Sequence, residues 1–350
     1  MIPVPPLQQY FRMCAALACV MGCVHAWPEE AAAERAEERL SAAREAQAQF
    51  WEAQAAGDFS AAQQHSETTA RLMREARELL EAAGAGTSRN PDALLTYARV
   101  LALHGDSDLA AEALQRAAVL APDRPEIWLA LAEALYALGA QREEDARRAL
   151  ERCIALDPAE EGVLATARAR LGAIYFRAGL PELAQEAFED GLEHVPGHYE
   201  CLAGLAALHV SEGAMAEASA RLEEVGFLGP FAMPLLEKGM RRFVESRGTV
   251  APTFEAHFAH ARILFQLNLL DRALAPLERA LHIDPESYVA RNFQGSVFLT
   301  LNRVAEAVEA FRESLALNPD QERTAQLLEQ LEAAPDAPDV DLEETPLPID

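Results

Sequence analysis

The chain has 350 residues, of which 50% are hydrophobic and 7% aromatic, and its formal net charge is −26. Binding to nucleic acid needs a basic surface that releases counterions from phosphates, so this acidity excludes nucleic acid as a partner. The dominance of Ala, Leu, Glu and Arg favours an all-α protein.

The first 26 residues have the pattern of an export signal. An apolar run from Met13 to Val24 follows Arg12, and Ala26 suits cleavage before Trp27. The run is too short to span a bilayer comfortably. We therefore expect an exported protein of the periplasm or cell envelope. In an alternative interpretation "VMGC" is a bacterial lipobox, and Cys23 becomes the lipidated first residue of a membrane-attached protein.

Residues 27–88 are predicted to form a long helical hairpin that turns at Gly57-Asp58. Its apolar stripe is thin. The stripe consists of Leu40, Phe50, Trp51, Phe59, Leu72, Met73, Leu79 and Leu80. We expect this hairpin to pack on the element that follows it and to act as an N-terminal cap. Alternatively, the narrow stripe pairs with a second copy and builds a structural homo-oligomer.

A repeat of about 34 residues follows the hairpin. Its clearest copy has Leu171-Gly172, Tyr175, Gly179 and Phe188 at fixed positions and closes at Pro196. Five further copies place a small residue in the slot of Gly172. These residues are Ala98, Ala132, Ala206, Ala261 and Gly295. The pattern resembles the tetratricopeptide repeat family over about two thirds of the chain.

The resemblance implies a right-handed α-solenoid of six helix hairpins, four in residues 89–232 and two in residues 254–320. One hairpin cannot bury its apolar face alone, so stacked hairpins share a continuous core. The small residues let neighbouring helices approach closely. Six residues are expected to end helices with positive φ. They are Gly105, Gly139, Gly179, Gly213, Asn268 and Asn302.

Three segments lie outside this period. Residues 233–253 are interpreted as an irregular helix and a linker, a decayed half-repeat at which the array bends. Residues 321–333 are predicted to form a helix that caps the last copy. Residues 334–350 are acidic and rich in proline, and are expected to be disordered.

The chain lacks the motifs of common catalytic and cofactor sites, such as a Walker lysine loop, HExxH, CxxC or GxSxG. His257 and His260 share a helical face but occupy packing slots, so we expect structural histidines and no metal site. Cys153 and Cys201 are expected to be small apolar core residues. We therefore predict a protein that is not an enzyme and holds no cofactor.

In the family that the chain resembles, the first helices of the hairpins line an inner, concave groove. The residue after each small one, with those four before and three after it, forms one helical face. This inner stripe consists of Leu95, Arg99, Ala102, Leu129, Glu133, Tyr136, Ala169, Ala173, Phe176, Ala203, Ala207, Val210, Phe258, Arg262, Phe265, Asn292, Ser296 and Leu299. The candidate partner-binding residues are Arg99, Tyr136, Phe176, Arg177, Phe258, Arg262 and Phe265.

Aromatic side chains among small residues, with a few arginines, suit an extended or helical peptide. The alternative is that Tyr136, Phe176 and Phe265 simply pack between neighbouring repeats. The family's best-known groove holds a peptide carboxylate with lysines and asparagines, which are almost absent from these slots, so an adaptor for cytosolic chaperone tails is not expected. The sequence thus predicts a non-enzymatic envelope scaffold that binds a protein or peptide and supports assembly of an envelope complex.

Overall fold

The computed structural model describes residues 28–55, 59–225 and 231–333. These ranges hold sixteen α-helices and no strand, so the all-α prediction is confirmed. The helices are α1 Pro28–Ala55, α2 Phe59–Ala82, α3 Pro91–Leu103, α4 Ser107–Leu120, α5 Pro125–Ala137, α6 Glu143–Ala155, α7 Glu161–Ala178, α8 Pro181–His194, α9 Tyr199–Glu212, α10 Met215–Val225, α11 Ala232–Glu245, α12 Phe254–Gln266, α13 Leu270–Ile283, α14 Tyr288–Thr300, α15 Val304–Leu317 and α16 Glu322–Ala333.

The chain divides into two compact units. The first comprises residues 1–49 and 64–122, and the second comprises residues 50–63 and 123–350. The leader with Cys23, the turn at Gly57-Asp58 and residues 334–350 lie outside the described residues. In the described part of the chain, no helix is both long enough and apolar enough to cross a membrane.

In the first unit the N-terminal hairpin packs on the first repeat copy. Leu40 of α1 and Leu80 of α2 share a hydrophobic cluster with Val100 of α3, and both leucines have no exposed surface. Arg77 of α2 forms an ion pair of 2.6 Å with Asp106, at the turn between α3 and α4. The hairpin therefore caps this copy, as the first of the two interpretations expects.

In the second unit, five hairpins follow one another, and the second helix of each contacts the first helix of the next. The hairpins are α5 with α6, α7 with α8, α9 with α10, α12 with α13, and α14 with α15. Helix α16 packs on α15 and closes the stack.

Helix α11 does not belong to this stack. Helix α10 contacts α12 directly, while α11 packs against α9. Residues 233–253 thus form a helix followed by a linker, as expected, but the helix lies against α9 and is not stacked between α10 and α12. The period is interrupted because a helix is inserted between two hairpins that still pack on each other.

The repeat slots have the predicted roles. All six residues that were expected to have positive φ do so, from 55° at Asn268 to 88° at Gly139. The small residues permit close approach, because a Cβ added to Gly172 would lie 2.7 Å from the ring of Phe188. A Cβ on Gly295 would lie 2.5 Å from the ring of Phe311. Phe188 and Phe311 are fully buried.

Candidate partner-binding groove

The inner stripe of the third and fourth copies lies under other residues. Six stripe side chains on α7 and α9 have 0% exposure. They are Ala169, Ala173, Phe176, Ala203, Ala207 and Val210. The expectation that Phe176 lines an open groove is therefore wrong for this structure.

Helix α11 covers this part of the stripe. Its Leu235, Leu236, Met240 and Phe243 are buried in one hydrophobic cluster with all of the six stripe residues except Ala203. Gly239 marks the closest approach, because a Cβ added there would lie 2.4 Å from the carbonyl oxygen of Ala207. The stripe of α7 and α9 is thus a groove that one amphipathic helix fills.

Basic side chains of α11 reach the C-terminal end of α7. Lys238, the only lysine of the chain, donates a hydrogen bond of 3.0 Å to the carbonyl oxygen of Arg177. Arg242 lies over the ring of Phe176, 4.7 Å from its centroid. A cation is favoured at this end of a helix, where the unpaired carbonyl groups concentrate negative potential.

Arg177 and Tyr136, both candidate residues, contact each other. The guanidinium of Arg177 lies 3.8 Å from the centroid of the Tyr136 ring, and it forms an ion pair of 2.5 Å with Glu143. Burial raises the pKa of the Tyr136 hydroxyl. The two side chains therefore form a fixed, half-buried link between α5, α6 and α7 at the edge of the groove.

Arg99, the candidate of the first copy, is engaged by the N-terminal cap. Its guanidinium donates to Glu37 of α1 at 3.4 Å, and the hydroxyl of Thr96 donates to the same carboxylate oxygen at 3.3 Å. Both ends of the ion pair are about two-fifths exposed, at 41% and 39%. The contact holds α1 on α3 and leaves Arg99 only partly available to a partner.

The fifth copy presents a half-buried aromatic cluster on α12. The rings of Phe258 and Phe265 each meet Phe293 of α14 edge to face, with centroids 5.6 and 5.3 Å apart. Phe254 stacks on Phe258 at 5.5 Å. Arg262, on the same face of α12, pairs with Glu223 of α10 at 2.6 Å. Three of the candidate residues thus lie together, and the phenylalanines also pack between repeats, as the alternative expects.

The stripe of the sixth copy is closed by the C-terminal helix. Asn292 and Ser296 are buried, and the hydroxyl of Thr324 of α16 donates to the side-chain oxygen of Asn292 at 3.3 Å. Leu299 shares a cluster with Leu327 of α16. The last copy therefore uses these slots for capping.

A buried ion pair lies beside the groove, and sequence reasoning missed it. Arg170 of α7 pairs with Glu200 of α9 at 2.9 Å, and its guanidinium lies 4.5 Å from the ring centroid of Phe231. Only 4% of the Glu200 side chain is exposed, and burial raises the pKa of its carboxyl. The hydroxyl of Tyr199 donates to this carboxylate at 2.8 Å. The pKa of Tyr199 is raised to about 12, mainly because the hydroxyl is buried. The pair links α7 and α9 near the start of α11.

The described residues contain no group of three or more histidine, cysteine or acidic side chains that could hold a metal. Cys153 and Cys201 are free and buried, and burial raises their thiol pKa values to about 11 and about 12. Such thiols are poor nucleophiles because the thiolate is the reactive form. Burial also lowers the pKa of His260 to about 4.

Matches to family models identify the type of repeat in two parts of the chain. Two matches to a model described as a tetratricopeptide repeat cover residues 240–288 and 258–322, and a second such model matches residues 91–134. These segments carry tetratricopeptide repeats. None of the curated proteins matches the chain.

Solved structures of similar proteins include MamA, at 23% identity over 53% of this chain and 96% of that one, with a TM-score of 0.38. A thermophilic tetratricopeptide protein of Thermus thermophilus is 21% identical over 51% of this chain and 94% of its own, with a TM-score of 0.39. A tetratricopeptide protein of Parabacteroides merdae is 16% identical over 85% of this chain and 98% of its own, with a TM-score of 0.39. At these identities and TM-scores, none of the likenesses bears on function.

Proposed function

We propose that this tetratricopeptide array is a non-enzymatic scaffold of the cell envelope that binds a helical segment of a partner protein and supports assembly of an envelope complex. One observation carries the proposal: the inner stripe of α7 and α9 holds an amphipathic helix, α11, whose apolar face it buries. A groove that fits one such helix has the shape and chemistry to accept another.

The accessible part of the stripe supports the same function. Phe258, Arg262 and Phe265 of α12 are partly exposed, in contrast to the fully covered side chains of α7 and α9. Aromatic and arginine side chains are the residues that most often dominate binding energy at protein interfaces. We infer that a partner first contacts the fifth copy.

The envelope location depends on the leader. A mature protein that begins at Trp27 would be a soluble exported protein, and an acylated Cys23 would anchor it to a membrane. Mass spectrometry of the N-terminus in fractionated cells tests this. An intact Met1 in a cytosolic fraction contradicts the proposed location.

Site-specific photo-crosslinking in cells tests the partner surface. A photoreactive amino acid replaces Arg262 on the inner stripe, and a matched control replaces Leu317, which is 43% exposed at the end of α15. We expect position 262 to crosslink one envelope protein that position 317 does not. Equal labelling from both positions, or crosslinks to cytosolic proteins alone, would refute the proposed function.

The alternative is a homo-oligomer built through the N-terminal hairpin, which would use its apolar stripe. Leu40 and Leu80 of that hairpin have no exposed surface, since they pack within the first unit. These two leucines of the stripe are therefore unavailable to a second copy, whereas Leu72, Met73 and Leu79 are partly exposed.

A further inference from the structure

Helix α11 is structurally separable from the array that it occupies. Helix α10 packs directly on α12, so the stacking of hairpins does not pass through α11. Residues 246–253 after α11 form a turn and a coil before α12 begins at Phe254. If α11 leaves α9, the contacts between successive hairpins remain, although the ring contact of Phe243 with His260 of α12 is lost.

The face of α11 that meets the groove has a defined pattern. Leu235, Gly239 and Phe243 are spaced by four residues and lie on one side of the helix, with Leu236 and Met240 beside them. Gly239 cannot carry a larger side chain, because the obstacle is the backbone oxygen of Ala207 rather than a side chain that could rotate away. A helix that replaces α11 therefore needs Leu-x-x-x-Gly-x-x-x-Phe or a close equivalent.

The docked position of α11 also has an electrostatic cost. It places Lys238 beside Arg177, and the pKa of Lys238 is lowered, first by burial. The repulsion between Lys238 and Arg242 is not part of this cost, because both residues lie on α11. Arg177 already has an acidic partner in Glu143. Like charges that crowd together oppose docking, whereas the apolar face favours it.

We propose that α11 is an intramolecular ligand that occupies the groove of α7 and α9 and is exchanged for a partner helix carrying the same Leu-x-x-x-Gly-x-x-x-Phe face. This inference rests on the proposed function, because it assumes that the groove binds helices in trans. Exchange, rather than simple opening, is expected because both the groove and α11 would otherwise expose apolar surface to water. A partner is then bound only when it competes successfully with α11.

The test uses the full chain and a synthetic probe. The probe is a fluorescent peptide of residues 231–248, "FAMPLLEKGMRRFVESRG". In the Gly239→Leu protein the new side chain collides with the Ala207 carbonyl and should displace α11, so we expect the peptide to bind at least ten-fold more tightly than it binds the wild type. Glu237→Ala, on the exposed side of α11, is the matched control and should behave as the wild type. A peptide that carries Leu at position 239 should not bind.

Hydrogen–deuterium exchange on the wild-type chain gives a second readout. We expect α11 amides to exchange at least ten-fold faster than α9 amides, because α11 opens without unfolding the stack. Equal protection of α11 and α9 overturns the exchange proposal but leaves the groove as a helix-binding surface. Loss of helicity throughout the Gly239→Leu array also overturns it, since α11 would then be part of the core. If α11 opens in this variant and the peptide still binds no better, the proposed function itself is wrong.

Discussion

The fully buried ring of Phe188 is held between two glycines of the first helices of neighbouring repeats, which permits a sharp test of the packing. A Cβ added to Gly172 of α7 would lie 2.7 Å from the ring, and one added to Gly204 of α9 would lie 2.2 Å from it. Both distances are far below the roughly 3.5–4.0 Å of an ordinary carbon–carbon contact. Gly204→Ala therefore requires the Phe188 ring, or α9 itself, to move by about 1.3 Å or more.

The expected magnitude follows from two opposing terms. Overpacking of a tight core costs about 1–3 kcal/mol. Alanine recovers roughly 1 kcal/mol of helix propensity relative to glycine. We therefore expect Gly204→Ala to lower the free energy of unfolding by up to about 2 kcal/mol. At Gly162, in the first turn of α7, an added Cβ meets nothing within 4 Å, so Gly162→Ala should raise stability by about 0.5 kcal/mol.

Urea unfolding followed by circular dichroism measures both variants under identical conditions. Because repeat arrays can depart from two-state behaviour, midpoints and slopes are compared together. The cost of Gly204→Ala should largely disappear in a Phe188→Leu background, and the coupling in this double-mutant cycle is expected to exceed about 1 kcal/mol. A Gly204→Ala protein that is stabilised as Gly162→Ala is, or a cycle without coupling, would show that Phe188 does not set this spacing.

Two further predictions concern buried polar groups. Burial lowers the pKa of His260 to about 4, against 6.5 in its ordinary state, so stability that is complete above pH 6.5 should fall as the pH drops towards 4, by up to about 3 kcal/mol. Thermal unfolding between pH 4 and 7.5 should show this dependence of stability on pH in the wild type and in His282→Gln, a control at an exposed histidine. If His260→Leu has the same pH dependence as the wild type, the prediction is contradicted. The hydroxyl of Ser314, which is fully buried, donates to the carbonyl oxygen of Tyr288 at 2.9 Å. Ser314→Ala should therefore lower the free energy of unfolding, measured in urea, by about 1–2 kcal/mol. A variant as stable as the wild type would show that this hydrogen bond does not stabilise the last hairpin.

The sequence predicted the candidate site correctly in some repeats and not in others. The spacing rule correctly put Phe258, Arg262 and Phe265 on one face of α12, because residues three and four apart on a helix are neighbours whatever surrounds them. The same rule put Phe176 on the equivalent face of α7, where α11 covers it. Equivalent positions in successive repeats therefore differ in exposure because one inserted helix lies on some copies and not on others.

The amphipathic character of α11 was readable in advance, but its position was not. Leu235, Met240 and Phe243 have helical spacing, which suits a half-repeat stacked in the array as well as a helix lying across it. Gly239 in the middle of this helix was a clue to close packing. The partner of that close approach, the carbonyl oxygen of Ala207, is a backbone atom that no side-chain pattern reveals.

The sequence by itself determined the features that depend on near neighbours along the chain. These are the 34-residue period, the hairpins, the residues with positive φ and the small-residue slots beside Phe188 and Phe311. Only the tertiary structure decided that α11 lies in the groove of α7 and α9, and that Glu37 engages Arg99. The physical reason is that the sequence of a helix shows which of its faces must be buried. The surface that covers this face is formed by residues far away in the chain, which the local pattern does not identify.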